Sequence, residues 1–600
     1  MPGSRSNVII IGAGPTGLSL ALLLARLGIR SVLAERNSAP QPHPAACILN
    51  TRTMEVLREI GVADIILDRC QNIFDRADIT WVTTLAGREL GRCSALPGDL
   101  AAVRAVSPVH ATQFPQNRLE PLLWNKVSEN PLIDFLPSHK CVAVRETNSQ
   151  VVGTFESGTK RSNIAGNYLV ACDGATSVVR QLIGICTEGR VLQHMIGVYF
   201  TADLSGLVAH RKSILYWILN PDVLGVLIAH WLPVEWVLFA PYFPPHQSPE
   251  DFSEARCRAL VEAAIGEHVS DLCIKLVRPW TLEAKLAAGY RRGRVFLAGD
   301  AAHSFPPTGG LGLNTGIQDV HNLAWKLSAV IKKTGGRKLL DTYEQERRPI
   351  GKANLRHSLR NYENMNDLLQ IIGLDLRQKS LQSIQDGRLF RRLPMSWQRR
   401  LVMAAARHAF SRLRVLAENT AQGAQARSEF ARRIPGQAPH YQFLGLDLGF
   451  TYERGAFIAD AASKPQPSNP VLHYRPTTWP SARLPHFWVE KDGTSVAIHD
   501  VLARDAFTLL TAASGKRAWL SAAMKIKAKR SMPVLCLSIG SEKGVSLVDT
   551  HNAWSKYSEV DVDGAVLVRP DGHVAWRVRS LPKAPAKQLR AILHQLSYLA

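Results

Sequence analysis

The spacing of apolar residues changes several times along the chain, and each change marks a different element. Residues 7–11 form a short β-branched run, followed by glycines and a proline. Leu and Ala then recur at helical spacing over residues 18–27, until Gly28 stops them. Residues 30–35 regain strand character, so the opening predicts a βαβ unit. Residues 51–70 read as an amphipathic helix pair. Between 190 and 243 the pattern becomes β-rich: runs at 195–202, 213–219, 224–231 and 236–242 are separated by turn residues and predict a meander or mixed sheet. Residues 275–345 return to strand, Gly/Pro loop and helix. Residues 346–435 read as helical and strongly basic. Pro465, Pro467 and Pro470, interleaved with Ser and Asn, read as a linker before an α/β pattern at 482–600.

Length and composition narrow this picture. A chain of 600 residues holds about three to five domains, at roughly 100–200 residues each. Hydrophobic residues make up 46% and charged residues 20%, a globular balance. The net charge of +22 suits nucleic acid, a membrane surface or anionic ligands and does not choose among them. Much of it is local: eleven arginines fall between residues 387 and 434, against Glu418 and Glu429 alone. Such a stretch is ordinarily a solvated face, and no nucleic-acid-binding motif accompanies it. The nine cysteines include no Cys-x-x-Cys pair, which argues for reduced thiols and a cytoplasmic setting. The apolar run over 8–27 is broken by Gly12, Gly14, Pro15 and Gly17, so no membrane span is expected. No metal site is expected either.

Three motifs carry chemistry. Gly12-Ala13-Gly14-Pro15-Thr16-Gly17 stands between a strand and a helix, and Glu35 ends the next strand. This is the arrangement that cradles a pyrophosphate on backbone N–H groups and offers an acid to a ribose diol. Tyr168 to Asp173-Gly174, with Ser177 and Arg180 at set offsets, places an Asp-Gly turn after an apolar strand. Gly299-Asp300 ends another strand and leads through Pro306-Pro307-Thr308-Gly309-Gly310 into Leu311-Gly312-Leu313-Asn314 and a helix. An acid at a strand end can accept from a ribityl hydroxyl, and a glycine-rich helix start favours negative charge nearby.

Taken together, these motifs resemble the FAD-dependent aromatic hydroxylases, the single-component flavoprotein monooxygenases, and within them the phenol hydroxylase and dichlorophenol hydroxylase branch that includes polyketide hydroxylases. The resemblance also rests on Gln116-Asn117-Arg118-Leu119-Glu120, on Tyr343-Glu344-x-Glu346-Arg347-Arg348-Pro349, and on Pro485-His486 and the run Val568 to Arg577. It implies an α/β fold with α+β inserts. A Rossmann-type FAD-binding domain (1–185 and 275–350) would hold an inserted β-sheet substrate domain (186–274). A helical region (351–440), a linker (441–481) and a thioredoxin-like domain without a redox cysteine pair (482–600) would follow. It implies noncovalent FAD on Gly12, Gly14, Gly17, Glu35, Arg36, Gln116 and Asp300. Pro307 and the backbone of Gly310, Leu311, Gly312, Leu313 and Asn314 would face the flavin ring. Asp173, Gly174 and Arg180 would serve both FAD and the nicotinamide cofactor. Many relatives carry Arg where this chain has Ala45.

The resemblance further implies a reaction cycle. NADPH or NADH reduces FAD as a transient reductant, O2 gives a flavin C4a-hydroperoxide, and one oxygen atom passes to a phenolic or polyketide-derived aromatic ring. No second nucleotide fingerprint is present to hold NAD(P)H separately. Tyr216, His230 and Tyr242 are the candidate groups for the substrate hydroxyl. Trp217, Trp231, Phe239 and Phe243 could wall an aromatic pocket, and His303 reads as structural support. A homodimer is a family expectation. Epoxidase or Baeyer–Villiger chemistry on a related scaffold stays open, as does, more distantly, a nucleic-acid- or membrane-surface-binding flavoprotein.

Overall fold

In the computed structural model, which describes residues 6–76, 78–96, 100–375, 390–526, 533–542 and 544–598, the strand Ser6–Ile11 lies inside a largely parallel sheet. It pairs with Ser31–Ala34 on one side and with the end of Lys160–Ala171 on the other. Ile133–Leu136 and Val295–Leu297 extend the sheet outward. Every residue of Ser31–Ala34 is buried, as in a parallel sheet covered on both faces. The helices Pro15–Arg26 and Leu311–Ile331 pack against each other beside it. The apolar run at 8–27 is therefore core strand and helix, and no helix among the described residues is long and apolar enough to cross a membrane.

A second sheet of eight strands carries the β-rich segment. Thr187–Thr201, Ser213–Leu219, Leu224–Trp231 and Glu235–Tyr242 fall on the four runs read from the sequence. The sheet is wider than residues 186–274, however. Asp78–Val82 pairs parallel with Ser213–Leu219, Glu89–Ser94 pairs with Asp78–Val82, and Cys273–Ala287 pairs along Thr187–Thr201. These pairings join residues far apart in the chain, and they cover backbone edges that would otherwise lie open. One face of the sheet packs on the helix Glu254–Ile265 through Val198, Leu227 and Leu238 against Val261 and Ile265. The other meets the helical region, where Trp81 and Leu224 pack with Leu413 and Phe430.

The helix Asp341–Leu369 runs unbroken through residue 350, so the FAD-binding unit passes into the helical region without a break. Several arginines of the basic stretch have local work. Arg399 pairs with Asp251 at 2.7 Å, and Arg432 and Arg433 flank Glu429. Arg388 lies outside the described residues, as does the side chain of Arg391. The segment at 441–481 contains the short helix Leu444–Leu448 and lies against the FAD-binding unit, where Asp447 accepts the Arg52 backbone N–H at 3.3 Å. It is a docked strap rather than a free linker.

The C-terminal unit centres on Phe507–Ala512, parallel to Val534–Gly540 and antiparallel to Ala565–Val568. Val574–Val578 completes that side as a hairpin. Trp519, Leu589 and Leu593 from two helices are buried against the sheet and belong to the same apolar core as the FAD-binding unit. Cys536, the one cysteine here, has its thiol pushed up to about 11 by burial, which leaves it protonated and weakly nucleophilic.

Buried charge fastens this unit to the rest. Glu346 accepts Lys326 Nζ at 2.8 Å and both Arg569 Nη atoms at 2.9 Å. Arg569 also grips Asp571, whose carboxylate takes the Trp325 Nε1–H at 3.1 Å. Nearby, Glu55 accepts Arg52 at 2.8 Å and Arg483 Nε at 3.0 Å. Burial alone would raise the Glu346 carboxyl, but Arg569 and Lys326 outweigh it and hold it at about 2. Glu346→Gln leaves Lys326 and Arg569 short of their shared anion. It should cost about 3–5 kcal/mol, read as a lower denaturant midpoint; an unchanged midpoint would contradict this role.

Burial also holds several imidazoles neutral. His43 and His486 are lowered to about 4, and His230, His440 and His573 to about 3. An unfolded histidine takes up a proton near pH 6.5. Below that pH the unfolded chain binds protons that the fold refuses, so stability falls as pH falls. The thermal midpoint should therefore drop steadily from pH 6.5 to about 4, and a flat profile over that window would refute the assignment.

Candidate active site

The turn at residues 12–17 is built by close backbone approach. Gly12 has φ of +100°, and a Cβ there would lie 2.3 Å from the Cys172 carbonyl oxygen. A Cβ on Gly17 would lie 2.0 Å from the Gly12 oxygen. Gly14 differs, because its Cβ would meet nothing within 4 Å. The backbone is thus packed tightly behind the turn and open at the helix start, which is the shape a pyrophosphate requires. Glu35 accepts the Ala13 N–H at 2.8 Å and the Asn37 N–H at 2.9 Å; a carboxylate with about four lone-pair sites keeps capacity for a ribose hydroxyl. Arg36 is exposed. Trp124, which no motif singled out, donates Nε1–H to the Ala13 oxygen at 3.0 Å and pins the turn.

The other two motifs converge on this turn. A Cβ on Gly299 would meet Thr16 Oγ1 at 2.8 Å, and one on Gly316 would meet the same atom at 2.5 Å. Asp300 is exposed, yet partial desolvation raises its carboxyl, with His303 opposing that shift. A Cβ on Gly312 would come within 3.8 Å of Asp300 Oδ1, so strand end and helix start share one cleft. Gly310 caps the helix Leu311–Ile331 at φ +61° with no side-chain cap, which leaves its first N–H groups for an external acceptor. Leu311 is buried, Gly312 and Leu313 are half-buried, and Pro307 is exposed. Asn314 works through its side chain: Nδ2 donates to the Ile48 oxygen at 3.0 Å and Oδ1 accepts the Asn50 N–H at 2.9 Å. Gln116 joins the same segment, its N–H bonding the Ala46 oxygen at 2.8 Å and its Nε2 bonding Glu120 at 2.6 Å.

At the Asp-Gly motif, Asp173 Oδ2 accepts the Val179 N–H at 3.1 Å, while Oδ1 is buried with no partner. Gly174 holds the left-handed turn at φ +85°. Arg180 donates to the Ala301 and Ala175 oxygens, each at 2.8 Å, so its guanidinium binds the Gly-Asp strand end to the Asp-Gly turn. His303 is buried, bonds Asp319 at 2.8 Å and stacks on Phe305 at 4.5 Å; Asp319 in turn holds Arg347 at 2.8 Å. The histidine is part of a packed ion cluster beneath the cleft.

The substrate sheet separates the three catalytic candidates. Tyr216 is fully buried; its hydroxyl donates to the Arg211 oxygen at 2.8 Å and accepts the Ser213 N–H at 2.9 Å. Tyr242 packs on Phe252 at 5.9 Å. Both sit in the core shared with the helix Glu254–Ile265, because alternate strand residues point to opposite faces. Neither side chain faces the side of the sheet that carries His230. His230 is different. It is fully buried, both ring nitrogens lack partners, and burial with the nearby His43 lowers it to about 3. His43 lies 6.4 Å from the Phe239 ring and 6.2 Å from Tyr199, so this face meets the segment at 43–50 that Asn314 and Gln116 hold. His43 belongs to none of the three sequence motifs; Ala45, two residues on, adopts φ +31°. Trp217 is tied to Tyr441 at 2.9 Å and Trp231 lies 4.0 Å beneath Arg118, while Phe239 packs on Trp280 at 5.2 Å.

Residues 5–358 match the family described as FAD binding domain, and residues 477–597 match the one described as aromatic-ring hydroxylase, C-terminal. The chain belongs to the FAD-dependent aromatic hydroxylases. The chain is 31% identical to a tetracenomycin A2 monooxygenase-dioxygenase of Streptomyces glaucescens, over 98% of this chain and 96% of that protein. It is also 31% identical to a 2,4-dichlorophenol 6-monooxygenase of Cupriavidus pinatubonensis, over 99% and 96%. Among solved structures it is similar to the flavin-dependent monooxygenase PieE in complex with FAD and substrate, with TM-score 0.87, 31% identity and full coverage of both chains. An aklavinone-11 hydroxylase with FAD and aklavinone gives TM-score 0.78 at 28% identity, again over both full chains.

The cleft of this hydroxylase fits FAD on its own geometry. The open face of Gly14, the uncapped helix start at Gly310 and the unpartnered Asp173 oxygen each leave room or a polar group for a ligand. Two glycines separate folding from cofactor binding. Gly17→Ala should clash with Gly12 and lower stability, whereas Gly14→Ala should fold normally and bind FAD at least about tenfold more weakly, ~1.4 kcal/mol. Asp300→Ala should likewise lower flavin occupancy. Thermal melts beside flavin absorbance after gel filtration check all three, and equal flavin content in Gly14→Ala and the parent would contradict the cradle.

Proposed function

We propose that the protein hydroxylates a phenolic or polyketide-derived aromatic ring, using FAD, O2 and NAD(P)H. When bound, FAD supplies the activation of O2 and the delivery of one oxygen atom. Gly14, Asp300 and the start of the helix Leu311–Ile331 would hold and orient it. Segment 43–50 would bring the flavin edge against the sheet face that carries His230, and the helical region would close that face against water. NAD(P)H would bind transiently near Asp173 and Gly174, since the sequence holds no second dinucleotide fingerprint.

The observation that carries this reading is His230, a neutral imidazole with two unpartnered nitrogens on the face that meets segment 43–50. A neutral imidazole has one free lone pair and can accept a hydrogen bond from a phenolic O–H, which orients the ring and raises its electron density without taking its proton. Ring hydroxylation is preferred to epoxidation or Baeyer–Villiger insertion because relatives at 28–31% identity include phenol and dichlorophenol monooxygenases.

The test is NADPH-driven oxygen uptake across phenols, salicylates and polyketide aromatics, with product mass checked for one added oxygen. His230→Phe should keep bound FAD and lower kcat/KM by about tenfold, the loss of one buried hydrogen bond. Because His230 is already deprotonated well below neutrality, the parent profile should show no limb from it between pH 5 and 8. Full activity in His230→Phe would remove it from the mechanism.

A further inference from the structure

Eight arginines are buried in the described structure, and one of them stands apart. Arg52, Arg347, Arg483 and Arg569 each pair with a carboxylate. Arg180, Arg211 and Arg294 each donate to backbone carbonyls. Arg76 is 5% exposed, and its Nε, Nη1 and Nη2 have no hydrogen-bond partner. It follows the turn Ile73–Asp75, within electrostatic reach of Cys47, Cys70, Tyr216 and Asp75. None of these satisfies it. Burial keeps the Cys47 thiol protonated, the Tyr216 hydroxyl is committed to Arg211 and Ser213, and Asp75 is exposed and forms no ion pair with it.

The surroundings point to a ligand rather than to solvent. Gln113, which neighbours Cys47, donates Nε2–H to the Ala229 oxygen at 2.5 Å and leaves a buried, unpartnered Oε1, an acceptor for a ring hydroxyl rather than for an anion. Cys47 belongs to segment 43–50, and Ile73, three residues before Arg76, shares an apolar cluster with Ile48 and Trp217, so Arg76 stands next to the segment and sheet already assigned to the aromatic ring. A buried cation without an acceptor costs several kcal/mol. A planar fork of N–H donors matches a two-oxygen anion better than a single hydroxyl.

We propose that Arg76 is an anion-binding residue of the substrate site, and that the ring this enzyme accepts carries a carboxylate. The proposal rests on the ring-hydroxylase reading and names its substrate class. The FAD-loaded enzyme, R76M and R76K would be titrated with 1-hydroxy-2-naphthoate and 1-naphthol, with binding followed by the flavin difference spectrum. The parent should bind the naphthoate at least tenfold more tightly than the naphthol. R76M should lose that preference while keeping its FAD, and R76K should retain part of it. No naphthoate binding, equal affinities in the parent, or a preference that survives R76M would overturn the assignment. Product analysis separates the two readings. An oxygenated product from either probe upholds hydroxylation whatever Arg76 does. If no tested aromatic gains oxygen, hydroxylation falls, while the naphthoate titration still decides the role of Arg76.

Discussion

Charge placed where water cannot reach must be met by protein, and one helix is the place where this chain meets it. Leu311–Ile331 offers its uncapped start to the cofactor cleft, and its Asn314 clamps the segment beside the substrate sheet. One turn further, Asp319 gathers His303 and Arg347. Further still, Asn322 and Lys326 reach Glu346, which holds Arg569 of the C-terminal unit. Cofactor cleft, substrate segment and terminal domain are thus fixed to successive turns of a single rigid element. A shift of that helix would disturb all three, and satisfying its buried ions keeps it in register.

The substrate sheet divides labour between its faces. The face on the helix Glu254–Ile265 is ordinary core, and its tyrosines are spent on backbone groups and packing. The opposite face holds His230 unsatisfied, and Gln113, which reaches across to the Ala229 oxygen from a separate strand, has an unsatisfied Oε1. Polar atoms buried without partners are rare in finished structures. At these two positions a ligand bound between segment 43–50 and the sheet could complete the hydrogen bonding.

The FAD-binding turns were legible in the sequence because their chemistry is local. Gly17 is demanded by the backbone of Gly12, five residues away, and Asp300 stands at a strand end that its own neighbours define; the close approach of Cys172 to Gly12 is the one remote contact of that turn. The four β runs were legible for a similar reason, since their apolar patterning is written in consecutive residues. Other features were not, and each depends on residues remote in the chain. Asp78–Val82 enters the sheet by pairing across more than a hundred residues. Tyr216 and His230 look alike as polar residues on apolar strands, and only the packed helix shows which face is spent. The Glu346 and Arg569 motifs were both visible, but nothing in either announced a partner 223 residues away.

That last pairing bears on how such proteins can be recombined. Glu346 and Lys326 sit on the FAD-binding side, Arg569 and Asp571 on the other, and Glu55 and Arg483 repeat the division. Each half therefore carries part of a charge balance that closes only in the whole. A crossover within the helical region or the strap would inherit unmatched ions unless the donor supplied the same complement. The terminal domain lacks the cysteine pair of a redox module, and it travels with its own flavin domain as a matched half.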